Sequence, residues 1–185
     1  MKYMIASDLH GSSLYTDFLL EAFRREKEDG GRWMLLLLGD LLYHGPRNDL
    51  PEAYDPGKVN RTLSVYADEI ICVRGNCDAE VDLMVMPYLF MTDSLMLESG
   101  DHWILATHGH VRNEGNMPPL RPGDVLLHGH THVPSWKKTE KGVWILNPGS
   151  VSIPKEGSWH GYMTLSGQTF TWKELTGSIC HRMSL

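Results

Sequence analysis

The chain has 185 residues, enough to bury one full core, and its 42% hydrophobic and 22% charged residues are the balance of a globular protein rather than a disordered one. A formal charge of −6 excludes the broad basic footprint that grips a nucleic-acid backbone, so no extended nucleic-acid surface is expected. Three cysteines, Cys72, Cys77 and Cys180, are odd in number and too few for a disulfide framework, and no apolar run approaches the roughly 20 residues of a membrane span. A single cytoplasmic domain over residues 1–185, without a membrane partner, is the expectation.

Lys2 to Ser7 is short and apolar and runs straight into Asp8-Leu9-His10-Gly11, which predicts a buried strand with polar side chains at its carboxyl end. Ser12 or Ser13 can cap a helix from Leu14 to about Glu28, where Leu14, Phe18, Leu19, Ala22 and Phe23 fall at helical spacing. Gly30-Gly31 stops it. Trp33 to Leu38 is an unbroken apolar run, as in a strand buried on both faces, and ends in Gly39-Asp40. Leu41 to Pro56 has prolines, Gly45, Asn48 and Asp49 without a period and is expected to be a long functional loop, with His44, Arg47 and Asn48 as candidate substrate contacts. A helix from Gly57 or Lys58 to Ala67 precedes a strand from Glu69 to Val73, which ends in Arg74-Gly75-Asn76-Cys77-Asp78.

Strand, helix, strand, helix, strand implies parallel βαβ units, which bind ligands beyond the carboxyl ends of their strands. The second half is richer in strands: Ser94 to Glu98, His102 to Ala106, Asp124 to Leu127, Gly142 to Leu146, Tyr162 to Leu165 and Thr169 to Trp172. The polar strand ends continue. His102 to Ala106 leads into Thr107-His108-Gly109-His110, Asp124 to Leu127 into His128-Gly129-His130-Thr131-His132, and Gly142 to Leu146 into Asn147-Pro148-Gly149-Ser150.

His128, His130 and His132 alternate, and residues two apart in an extended segment share a side, so their imidazoles can converge as a metal needs. Together the strand ends supply Asp8, His10, Asp40, Asn76, His108, His130 and His132, oxygen and nitrogen donors that suit manganese, iron or zinc better than a soft metal. Taken singly, Asp8 and Asp40 also read as helix caps and Asn76 as a turn residue. His102, His160 and His181 lie in no motif, and Cys72 reads as core filler.

The ordered series Asp8-x-His10, Gly39-Asp40, Gly75-Asn76-Cys77-Asp78, His108-Gly109-His110 and Gly129-His130-Thr131-His132 resembles the calcineurin-like metallophosphoesterases. The Asn76-Cys77-Asp78 variant, the Tyr43-to-Asn48 loop and the Asn147-to-Lys155 segment are similar to the bacterial YfcE-type phosphodiesterases within that superfamily. The resemblance implies an α/β fold, a two-sheet β-sandwich flanked by helices in an α-β-β-α order. It implies two divalent ions, manganese first, with iron, zinc, nickel or magnesium as alternatives. Asp8, His10 and His132 would hold one ion, Asn76, His108 and His130 the other, and Asp40 would bridge them.

The implied activity is hydrolysis of a small phosphodiester by a hydroxide between the ions, with Arg47 or His110 neutralising charge on the phosphoryl oxygens. Cys77 stands where many relatives carry a histidine thought to protonate the leaving group, and a thiol suits that role less well than an imidazole. A phosphomonoesterase or nucleotidase and a non-catalytic interaction scaffold of the same fold remain alternatives, and the sequence leaves a homo-oligomer open.

Overall fold

The computed structural model describes residues 1–86 and 91–185. Two mixed β-sheets lie face to face. In the first, β1 (Lys2–Ala6), β2 (Trp33–Leu37), β3 (Ile70–Val73) and β4 (Met91–Thr92) run parallel, and β10 (Gly161–Ser166), β11 (Thr169–Glu174) and β12 (Ile179–Ser184) extend it antiparallel from β1, giving the order β12-β11-β10-β1-β2-β3-β4. The second has the order β5-β6-β7-β9-β8, with β6 (His102–Thr107), β7 (Val125–Leu127) and β9 (Trp144–Asn147) parallel and β5 (Ser94–Ser99) and β8 (Ser135–Lys138) as antiparallel edges.

Helices α1 (Ser13–Lys27) and α2 (Pro56–Ser64) cover the outer face of the seven-stranded sheet. Ser12 caps α1 by accepting from the Tyr15 N–H, and Arg24, Arg25 and Lys27 sit in the last turn, where the helix dipole favours cations. The buried face of α1, Leu19, Leu20, Ala22 and Phe23, joins Val59 and Leu63 of α2 over Met4, Ala6, Leu35 and Leu37. A second core fills the space between the sheets, where Ile5, Leu36, Val73, Phe170 and Trp172 of the first meet Ile104, Val125, Leu127 and Leu146 of the second. Side chains of β1 and β2 alternate between these two cores, which is why both strands are apolar at every position after the first two. Between β6 and β9 the described residues form no α-helix, only the 3-10 turn Glu114–Asn116, so the helical cover implied for the second sheet is thin.

The predicted elements recur within three residues; the largest shift is the end of the second helix, at Ser64 rather than Ala67, because the Tyr66 N–H donates to the Leu63 carbonyl and tightens the chain into a 3-10 turn, Ala67–Glu69. Strands β4, β8 and β12 lie outside the sequence reading; all three are sheet edges, and the polar sequences of β8 and β12, Ser-Trp-Lys-Lys and Ile-Cys-His-Arg-Met-Ser, lack a buried run. Helix α3 (Asp82–Val85) lies outside it as well, a single turn too short to leave a period in the sequence.

Candidate metal centre

The carboxyl ends of β1, β2, β3, β6 and β7 open toward one another. The loops after them bring Asp8, His10, Asp40, Asn76, His108, His130 and His132 together. The Nε2 atoms of His10 and His132 are 3.1 Å apart and lie 3.6 and 3.3 Å from Asp8 Oδ1. A second group has His108 Nε2 3.0 Å from Asn76 Oδ1 and 3.2 Å from His130 Nδ1. Asp40 Oδ2 stands between the groups, 3.8 Å from His10 Nε2 and 3.5 Å from His108 Nε2.

Backbone carbonyls fix three of the rings. His10 Nδ1 lies 2.8 Å from the Tyr43 carbonyl, His108 Nδ1 2.7 Å from Leu38 and His132 Nδ1 2.7 Å from Ile153. Each Nδ1 donates there, leaving in the neutral ring a lone pair on Nε2 aimed into the cluster. His130 enters through Nδ1 instead. Lone pairs and carboxylate oxygens this close repel one another unless a proton or cation lies among them, and Asp8 Oδ1 is buried with no hydrogen-bond partner. The donor set therefore fits divalent metal ions, and the triads Asp8/His10/His132 and Asp8/Asp40/His108 each converge within ligand distance.

The same crowding sets the protonation equilibria. Burial opposes the charge on Asp8, but the imidazoles of His10 and His132 beside it and the charges of His108 and His132 hold its carboxyl well below the usual range. Burial would lower His108, yet the hydrogen bond to Asp40 and the charges of Asp8 and Asp40 raise it to about 9. Burial and the charge of His108 push His130 down to about 4. A field that draws protons onto His108 also draws cations.

Among the described residues, five of the seven non-glycine residues with left-handed backbones are Asp8, His10, Asp40, His130 and His132. Such conformations cost energy and persist only where surrounding contacts impose them. His130 and His132 thus do not converge by strand alternation: β7 stops at Leu127, and both residues sit at φ near +60° in a tight loop. His128 keeps its buried ring beside this loop, its Nδ1 2.9 Å from the Gly129 carbonyl, and belongs to none of the converging donor groups.

Two braces that the sequence did not announce hold these loops. Asp78, buried, accepts from the N–H groups of Asp40, Leu41 and Gly75 at 2.7–2.8 Å, tying the β2 and β3 ends together. Burial raises its pKa, and those N–H groups oppose the rise. No side chain fits at Gly75, where a Cβ would stand 2.0 Å from Asp40 Oδ1. On the other side, Asn147 Nδ2 donates to the Gly129 carbonyl and to Thr131 Oγ1, while the hydroxyls of Ser150 and Ser152 both donate to the Asp8 carbonyl. The Asn-Pro-Gly-Ser strand end was the available signal; a brace that bonds backbone leaves no residue pattern.

The donors open into a cleft of about 650 Å³ whose walls include Arg47, Asn48, Cys77 and Lys155. Cys77 donates its N–H to Asp40 Oδ1, and burial and the Asp40 charge push its thiol up to about 12. His44 does not line this cleft; its ring packs edge-on to Tyr43 and Tyr54, and its carbonyl accepts from Asn48 Nδ2. His110 is exposed and flanks the second group, its ring centroid 5.4 Å from that of His108. His160 and His181 lie elsewhere, stacked on Tyr15 and Trp136.

Residues 1–169 match the model of the calcineurin-like phosphoesterase superfamily domain. The phosphodiesterase YfcE of Escherichia coli strain K12 is 43% identical over 173 residues, covering 92% of this chain and 90% of the relative. A solved structure of the phosphoesterase YfcE from E. coli superposes with a TM-score of 0.90 at 40% identity, covering 100% of this chain and 99% of that one. A conserved uncharacterized protein of Streptococcus pneumoniae TIGR4 shares the fold at a TM-score of 0.61 and 21% identity, over 100% of this chain and 97% of its own.

Proposed function

This chain belongs to the calcineurin-like phosphoesterase superfamily, and from that membership we propose that it is a metal-dependent phosphodiesterase with a dinuclear centre, acting as a single domain over residues 1–185. One observation carries the proposal: seven donor side chains divide into two groups that share Asp40, around a buried, unpaired Asp8 oxygen. Asp8, His10 and His132 would hold one ion and Asn76, His108 and His130 the other, with Asp40 available to both groups. Manganese is the expected metal, with iron, zinc, nickel or magnesium able to occupy the same donors. When bound, the two ions would lower the pKa of water at the site so that it can act as the nucleophile near neutral pH, and would supply positive charge to the phosphate oxygens.

The remaining work belongs to the chain. Arg47 lines the cleft and binds the phosphoryl oxygens as their charge grows, and Asn48 orients the ester beside it. His110, at the rim of the second group, adds a hydrogen bond on that side. Cys77 faces the leaving oxygen as a thiol, and because it gives up its proton only to a strong base, esters with good leaving groups are favoured. The substrate is a small phosphodiester, and the cytoplasm is the proposed compartment. No helix among the described residues is long and apolar enough to cross a membrane.

The test removes the metals by chelation, restores manganese, and compares an aryl phosphodiester with the corresponding monoester. Manganese-dependent turnover of the diester in excess of the monoester is expected. Preference for the monoester would make the protein a phosphomonoesterase, and inactivity of the metal-loaded chain on both would leave the scaffold.

A further inference from the structure

The cleft contains more positive charge than a simple diester can use. Two divalent ions set against Asp8, Asp40, one hydroxide and a diester monoanion come to neutrality. Arg47 and Lys155 then remain, two exposed residues lining the same cleft. Asp78 also lines it, and its carboxylate, held by three backbone N–H groups, offsets one of these charges, so one cation is in excess. Neither Arg47 nor Lys155 makes an ion pair among the described residues. With Arg47 on the phosphoryl oxygens of the reacting ester, Lys155 is free to meet a second anion.

Their backbones are not free. Lys155 donates its N–H to the His132 carbonyl, and its own carbonyl accepts from the N–H and hydroxyl of Ser158. It follows Ile153, whose carbonyl holds the His132 ring, by two residues. Arg47 sits in the loop whose Tyr43 carbonyl holds the His10 ring, a loop closed by the Asn48 bond to His44. Each cation is thus carried by the segment that orients an imidazole of the Asp8/His10/His132 group. At about 650 Å³ the space holds an ester arm as well as the reacting phosphate.

We propose that Lys155 forms an anion subsite, beside the Arg47 that meets the reacting phosphate, and that this subsite selects phosphodiesters whose retained arm carries a second negative group, a carboxylate or a further phosphate. The proposal rests on the phosphodiesterase function and names its substrate class. Lys155 here is a specificity residue, meeting the arm rather than the reacting phosphorus.

Binding to the manganese-loaded protein tests it. The probes are two phosphinates, whose two P–C bonds make them non-hydrolysable analogues of a diester, with arms identical except that one ends in a carboxylate and the other in the carboxamide. The carboxylate is expected to bind about tenfold more tightly at low ionic strength, with the advantage shrinking as salt rises. Lys155→Ala is expected to remove most of that advantage and Lys155→Arg to keep it. Equal affinities in the unmodified protein, or a preference that Lys155→Ala leaves intact, would overturn the subsite. The matching p-nitrophenyl diesters separate the two layers: no turnover of either, with the binding preference intact, supports the subsite and refutes the esterase, while turnover of both with equal affinities refutes the subsite alone.

Discussion

An imidazole can ligate through either nitrogen, and the hydrogen bond made by one nitrogen decides which lone pair is left. His10, His108 and His132 give Nδ1 to a carbonyl and present Nε2, whereas His130 presents Nδ1 and His128 has Nδ1 against the Gly129 carbonyl, outside the cluster. The two neighbours should therefore respond oppositely to the same change. His130→Asn is expected to lower manganese to one tightly held ion per chain, and His128→Asn to leave two, as measured by metal analysis after desalting. Loss of metal from His128→Asn would mean that the cluster is divided differently. Alternation alone makes His128, His130 and His132 equivalent in the sequence. They differ through backbone turns at His130 and His132, and no sequence pattern reports a left-handed histidine.

At the scale of elements, the site is a set of strand ends, and its precision depends on how those ends are tied. β1, β2 and β3 were legible because a strand buried on both faces must be apolar throughout, and the polar residue that ends the run marks where the chain leaves the core. The edge strands β8 and β12 were not, since one exposed face and one open flank relax that demand. Asp78 was equally hidden, although it closes the gap between the Asp40 and Gly75 turns with three charge-assisted hydrogen bonds. Asp78→Asn keeps the shape but replaces an acceptor oxygen with an NH₂ group that faces backbone donors. It is expected to cost about 2–3 kcal/mol in chemical denaturation and to weaken manganese binding, because the turn that carries Asp40 loosens. Wild-type stability with wild-type metal content would show that the turn holds without the brace.

On the scale of the molecule, the two sheets each bring part of the donor set: Asp8, His10, Asp40 and Asn76 follow strands of the first, and His108, His130 and His132 follow strands of the second. The cluster exists only while the sheets are docked over the core of Ile5, Leu36, Ile104, Leu127 and Trp172, so metal binds the folded chain and stabilises it by mass action. At a free metal concentration of roughly 100 times Kd the gain is about 2.7 kcal/mol, which for a domain of this size raises Tm by roughly 5–10 °C. The pH dependence has a definite sign. Without metal, His108 has its pKa raised to about 9 in the folded chain, so the stability it contributes is complete below the unfolded value near 6.5 and is lost as pH rises through about 9. Metal needs the neutral ring and must displace that proton, while His130, lowered to about 4, carries none to displace. The metal-dependent increment in Tm should therefore grow from pH 6.5 to pH 8.5, with protons released on binding at neutral pH. An increment that stays flat or falls over that range, measured by calorimetry with manganese and with chelator, would show that no imidazole proton stands in the way of the metal.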